Sequence, residues 1–109
     1  MSYDVSLMID TGAGDPIEAV EVGNYTRNVS PMWRDALGGK LLSEFHDAPC
    51  SEAAGPLAGA VKRMEADPEK YRAMNPPNGW GDYEGAIDYL RRIAEACASH
   101  TKCTLWISA

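Results

Sequence analysis

The sequence lacks any apolar run approaching the roughly 18 residues that a membrane-spanning helix needs. Its opening residues, Met1-Ser2-Tyr3-Asp4, lack the basic stretch followed by an apolar one that marks a signal peptide. Together these predict a protein that stays in the cytoplasm and does not engage a membrane. Histidine is scarce, with only His46 and His100. Cysteine is limited to Cys50, Cys97 and Cys103, an odd number that predicts free thiols in a reducing compartment rather than a disulfide framework. In that setting the sequons Asn24-Tyr25-Thr26 and Asn28-Val29-Ser30 carry no glycan. Positive charge is in deficit: ten Lys and Arg face sixteen Asp and Glu, for a net charge of −6 and a pI of about 4.7. Such a chain repels phosphate backbones, which disfavours sequence-independent nucleic-acid binding. No run of five like charges occurs, so the acidity reads as spread over a solvated surface, or as a face that fits a basic groove on another protein. Internal repeats and low-complexity tracts are absent.

What is present is one domain's worth of chain. At 109 residues and 45% hydrophobic, it has enough apolar material for a single core, residues 1–109, and not for two. Tyr3 to Ile9 alternates, with Val5, Leu7 and Ile9 on one side, which predicts a half-buried strand. A turn-rich loop follows, and Ile17 to Val22 reads as a second strand ended by Gly23, so the two form a hairpin. Ser30-Pro31 starts a short helix over Met32 to Leu37, with the Ser30 hydroxyl as cap, and Gly38-Gly39 stops it. A further amphipathic stretch begins near Leu41 and breaks before Pro49. Ser51 to Ala66 is helical by composition, firm from Pro56 onward, with Leu57, Val61 and Met64 as its stripe. Asp67-Pro68 opens another short helix, with Asp67 as cap. The strongest helix is Tyr83 to Ser99, capped by Asp82, with Ile87, Leu90, Ile93, Ala94 and Cys97 as its apolar stripe. Its outer face offers Asp88–Arg92 and Arg91–Glu95 pairs, worth roughly 0.2–0.5 kcal/mol each. Cys103 to Ser108 alternates as a third strand. The order β-β-α-α-α-β predicts an α+β fold, a small three-stranded and mostly antiparallel sheet with helices packed on one face. Its open sheet leaves an edge strand through which a homo-oligomer could form.

Arrangements that would make an enzyme are weak. Cys97, His100 and Cys103 recur every three residues, but they straddle a helix and a strand and need a fourth ligand such as His46 or Cys50. Two buried thiols and a surface histidine at a helix C-terminus account for them better. Cys50 with His46 has no accompanying oxyanion hole or strained nucleophile turn. Asp10 with Asp15, and Asp82 with Glu84, fit turn and cap chemistry. Thr11-Gly12-Ala13-Gly14 lacks the lysine and following helix of a phosphate loop. The expectation is a protein that is not an enzyme, with no catalytic residues, no metal and no cofactor.

Two segments stand apart. Gly23-Asn24-Tyr25-Thr26-Arg27-Asn28-Val29-Ser30-Pro31-Met32-Trp33 and Asn75-Pro76-Pro77-Asn78-Gly79-Trp80-Gly81-Asp82-Tyr83 each combine asparagines with aromatics and each end at a helix start. Asparagine presents donor and acceptor together, aromatic faces stack on planar ligands, and helix N-termini attract anions. If the segments meet, Asn24, Tyr25, Thr26, Arg27, Asn28, Trp33, Asn75, Asn78, Gly79, Trp80, Asp82 and Tyr83 would form a polar-aromatic pocket. The alternative stays open: Asn and Gly also turn chains, and Trp33 and Trp80 also fill cores.

Asn24-Tyr25-Thr26-Arg27-Asn28-Val29-Ser30-Pro31-Met32-Trp33 and Asn75-Pro76-Pro77-Asn78-Gly79-Trp80-Gly81-Asp82-Tyr83-Glu84-Gly85-Ala86 resemble the two signature stretches of a family of small uncharacterised proteins encoded by bacteriophages and prophages. The resemblance extends from Tyr3 to Ser108. It carries over no catalytic roles and implies a context, a viral accessory protein in the cytoplasm of a bacterial host. Such proteins counter antiviral defence by sequestering a nucleotide signal or by binding a defence protein such as a CRISPR effector. The expected function is therefore anti-defence binding of a small polar, nucleotide-type ligand, with an acidic protein–protein inhibitor as the alternative.

Overall fold

The structure is a computed structural model that describes residues 2–108. Three strands, β1 (Ser2–Ile9), β2 (Ile17–Thr26) and β3 (Thr104–Ser108), form an antiparallel sheet in the order β2-β1-β3. Tyr3, Val5 and Leu7 of central β1 are buried beside Leu105 and Ile107 of β3, as the alternation requires. The α+β architecture is as expected, and among the described residues the helical layer holds four α-helices, one more than the order β-β-α-α-α-β counts because the short helix opening at Pro68 stands on its own: α1 (Ser30–Ala36), α2 (Cys50–Ala66), α3 (Pro68–Arg72) and α4 (Tyr83–Ser99).

β2 does not end at Gly23. Gly23 takes φ 113° and pairs with Val5, while the register shifts beside it leave Val22 and Ala19 as extra residues on β2. Glycine tolerates the backbone at such a bulge, so the ladder continues instead of breaking. The consequence is that Asn24, Tyr25 and Thr26 are strand residues, opposite Asp4, Tyr3 and Ser2.

Other local expectations shift for physical reasons. The Ser30 hydroxyl is not the cap of α1; it donates to the Arg27 carbonyl, and Val29 occupies the cap position. The hydroxyl that caps is that of Thr26, which accepts from Asn28 N–H at 3.3 Å and opens a 3₁₀ turn over Arg27–Val29. At the other end of α1, Gly39 N–H reaches Arg34 O at 2.8 Å and Gly38 N–H reaches Asp35 O at 3.1 Å, the paired bonds of a Schellman stop. The stretch after Leu41 is a single 3₁₀ turn, Leu42–Phe45. α2 runs unbroken through Gly55-Pro56 from Cys50. The N–H that Pro56 lacks would have met the exposed Glu52 on the solvent side, while Cys50, Ala53, Leu57, Ala60, Val61 and Met64 bury the other face. Burial along the inner stripe outweighs one missing bond at the surface. Asp67 sits at the start of α3 without a side-chain cap bond. Asp88–Arg92 forms at 3.3 Å, whereas Arg91 pairs across to Glu65 of α2 at 3.9 Å instead of along its own helix.

Both sheet edges are guarded. Residues 46–49 cover β3: Asp47 N–H donates to Leu105 O, Leu105 N–H to Ala48 O, and Ile107 N–H to His46 Nδ1. β2 is edged by its two bulges and by exposed Glu18 and Glu21, the features that deter strand addition.

Candidate functional site

The two asparagine–aromatic segments meet at one end of the sheet. Tyr25 Oη accepts from Asp82 N–H at 3.2 Å, joining β2 to the start of α4. Two glycines make room for this contact. A Cβ on Gly81, whose φ is 93°, would stand 2.6 Å from Thr26 Cγ2 and 2.9 Å from Val29 Cγ1. A Cβ on Gly85 would stand 2.6 Å from Tyr25 Cζ. Beneath the junction Tyr25 stacks on Tyr89 with ring centroids 5.7 Å apart, and Trp33 packs against Tyr3 and Tyr89 at the same separation. Trp33 Nε1 donates to Ala86 O at 3.0 Å, and Tyr89 Oη donates to Gly23 O at 2.9 Å, so the buried polar tips are satisfied.

The second segment is shaped by its own asparagines. Asn78 Oδ1 accepts from Trp80 N–H at 3.0 Å across a turn that carries Gly79 at φ 76°. Asn75 Oδ1 accepts from Tyr83 N–H at 2.8 Å, and Asp82 Oδ1 from Gly85 N–H at 2.7 Å. Tyr83 is buried, stacks on Tyr71 and donates to Met64 O.

Where the segments face solvent they border an open cleft of about 490 Å³ lined by Ser2, Asn24, Thr26, Asn28, Asn78 and Trp80. Trp80 is 67% exposed there. The structure thus brings Asn24, Thr26, Asn28, Asn78 and Trp80 together as a lining, and uses Tyr25, Asn75, Gly79 and Asp82 to build its walls. Trp33 and Tyr83 lie in the core and do not reach it, because their rings complete the packing between sheet and helices. Arg27 lays its guanidinium over the Tyr3 ring at 5.4 Å. Ser2 was missed in the sequence; it enters the cleft as the cross-strand partner of Thr26, which only the bulged register reveals.

Every residue lining the cleft is uncharged. Its surroundings are negative. The first 26 residues hold Asp4, Asp10, Asp15, Glu18 and Glu21 and no lysine or arginine, while all ten basic residues accompany the other eleven carboxylates. The acidity is therefore concentrated in the hairpin, not spread. The helical layer neutralises itself: Asp35 pairs with Lys70 at 2.9 Å, Glu69 and Glu84 with Arg72, Glu65 with Arg91, and Asp88 with Arg92. None of the five hairpin acids forms an ion pair among the described residues; Glu18 accepts from the Ser6 hydroxyl at 2.7 Å.

The three cysteines are free and buried, where α2, α4 and the start of β3 meet. Burial pushes the Cys97 thiol up to about 12 and raises that of Cys50, which leaves both protonated and slow to react. His100 is exposed, with Nδ1 2.9 Å from Ala96 O. His46 Nδ1 is engaged by Ile107 N–H, and its ring meets Trp106 edge-on at 4.5 Å. Among the described residues no group of three or more His, Cys, Asp or Glu could hold a metal ion.

Comparison with protein-family models, with curated proteins and with solved structures finds no match to this chain. The functional reading rests on the geometry of the cleft.

Proposed function

We propose that this chain is a binding protein whose cleft captures a small polar ligand bearing a ring. One observation supports it above the others: two segments some fifty residues apart in sequence are joined by Tyr25 and Asp82 so that three asparagine carboxamides and the exposed face of Trp80 line one open cleft. A carboxamide offers a donor and an acceptor side by side, matching the edges of nucleobases, amides and sugars. A Trp face supplies stacking. In the viral setting implied by the signature stretches, capture of a nucleobase-bearing host signal would blunt an antiviral response without any chemical step.

The test is thermal unfolding of the purified chain against nucleosides, nucleotides, cyclic dinucleotides and sugars. A ligand at 100 times its Kd adds about 2.7 kcal/mol, a shift of several degrees for a domain this size. Trp80→Ala should remove the shift and leave the unliganded midpoint nearly unchanged, while Asn78→Ala should remove the shift and, by freeing Trp80 N–H, also lower stability by about 1 kcal/mol. A flat panel, or shifts that survive both substitutions, would refute the proposal.

A second reading, an acidic inhibitor of a basic host protein, is favoured by the concentration of unpaired carboxylates in the hairpin. It expects binding that weakens steeply with salt and is reversed by Glu18→Lys with Glu21→Lys. Binding to a basic partner that ignores both changes would sink it.

A further inference from the structure

We infer that the cleft selects the unphosphorylated form of its ligand, a neutral polar ring such as a nucleoside or a sugar, over the corresponding phosphate ester; this rests on the cleft being a binding site.

Phosphate sites are built from cations or from backbone N–H groups left free at a helix start. The lining of the cleft holds no cation, and most of the N–H groups at the neighbouring helix start are taken. That lining is hydroxyl, carboxamide and indole. The nearest cation in sequence, Arg27, is held over the Tyr3 ring. At the start of α4, the helix that the second segment feeds, three N–H groups are already engaged: Asp82 N–H goes to Tyr25 Oη, Tyr83 N–H to Asn75 Oδ1, and Gly85 N–H to Asp82 Oδ1. The group doing the capping is itself an exposed carboxylate, so an approaching phosphate meets a negative charge where the helix dipole would otherwise attract it. α1 spans only Ser30–Ala36, and the Ser30 hydroxyl at its start turns to the Arg27 carbonyl.

The field behind the cleft points the same way. Asp4 is the cross-strand partner of Asn24, one of the lining residues, and lies on the same solvent face of the sheet as Glu18 and Glu21. With no lysine or arginine before Arg27 and, among the described residues, no ion pair on any hairpin carboxylate, that face carries an excess of negative charge to the rim of the cleft, offset only where the Arg27 guanidinium lies over Tyr3 and Arg92 donates to Val22 O. Charges at such distances act through water, so the discrimination is modest per charge and sensitive to salt. What remains is a site with paired donors and acceptors and one aromatic face, suited to an uncharged ring.

The experiment is a titration of the full chain, by calorimetry or Trp80-dependent fluorescence, with adenosine, guanosine, cytidine and uridine. Their 5′-mono- and triphosphates, and a set of mono- and disaccharides, form the other arms, at low and high salt. The expected result is binding by a nucleoside or a sugar, with each added phosphate charge weakening it roughly two- to fivefold at low salt and less at high salt. Asp4→Asn should narrow that gap. The nucleoside and sugar arms decide which ring is read. A phosphorylated form that binds more tightly than its parent, while Trp80→Ala still abolishes binding, overturns the selectivity and leaves the cleft intact as a site. No binding in any arm, or binding indifferent to Trp80→Ala and Asn78→Ala, overturns the cleft reading and the selectivity with it.

Discussion

Trp33 and Trp80 sit in segments of similar composition and have opposite fates. Trp33 is 1% exposed, enclosed by Tyr3, Tyr25 and Tyr89 with its indole N–H on Ala86 O. Trp80 is 67% exposed, in a turn whose own asparagine bonds its backbone. The first segment spends its aromatics on the core and leaves only amides and a hydroxyl for the cleft. The second buries Tyr83 and keeps its tryptophan outside. Asparagine-rich composition is therefore no guide to exposure; the backbone beneath it is. Asn24 to Thr26 lie on a strand, where alternation forces Tyr25 inward between two outward polar residues, whereas Gly79 and Gly81, at φ 76° and 93°, swing Trp80 off the end of a helix.

The contrast can be tested by substitution. Trp33→Ala should cost about 3–5 kcal/mol, a large share of the roughly 5–15 kcal/mol typical of a domain, and urea unfolding will show whether the variant folds at all. Gly85→Ala should destabilise by about 1–3 kcal/mol, because the new methyl meets a Tyr25 ring that is already stacked on Tyr89. Gly59→Ala, a helical site with nothing within 4 Å of the added carbon, should be neutral or gain up to about 1 kcal/mol. If the two glycines behave alike in denaturant titrations, the junction is not tight. Asp82→Ala removes the α4 cap and should cost about 1 kcal/mol.

Alkali probes the buried side selectively. Burial, with the hydrogen bond to Asp35, pushes Tyr71 up to about 12, and burial also raises Tyr83 and Tyr89. A phenol whose folded value lies above its unfolded value near 10 stabilises fully below pH ~10 and loses that contribution as pH rises towards 12. Denaturation midpoints at successive pH values should fall over that window, and Tyr71→Phe should flatten the fall. The smallest effect expected is that of Trp80→Ala, within about 0.5 kcal/mol of wild type in the absence of ligand. A larger loss would mean that Trp80 supports the fold and not a ligand.

Much of the fold was legible because it depends on local rules. The alternation of Val5, Leu7 and Ile9, the stripe of Ile87, Leu90, Ile93 and Cys97, the Asp82 cap and the Gly38-Gly39 stop all depend on residues within a few positions of one another. Legibility failed where a distant partner intervenes. Gly23 reads as a strand end, yet the β1 ladder carries β2 past it to Thr26. Pro56 reads as a helix break, yet the buried stripe of α2 holds the helix through it. Ser30 reads as a cap, yet Thr26 does the capping for the turn before it.

For the site, the sequence by itself determined which residues could take part and that their chemistry is amide, hydroxyl and indole. It also determined that the first 26 residues contain no lysine or arginine. Only the tertiary structure decided that the two segments touch, that Ser2 joins them, and that Trp33, Tyr83 and Arg27 are engaged elsewhere. The physical reason is that donors, acceptors and rings are properties of single residues. Exposure and proximity depend on which elements pack together, and here a bulged strand and two glycines bring residues 24–28 against residues 78–82.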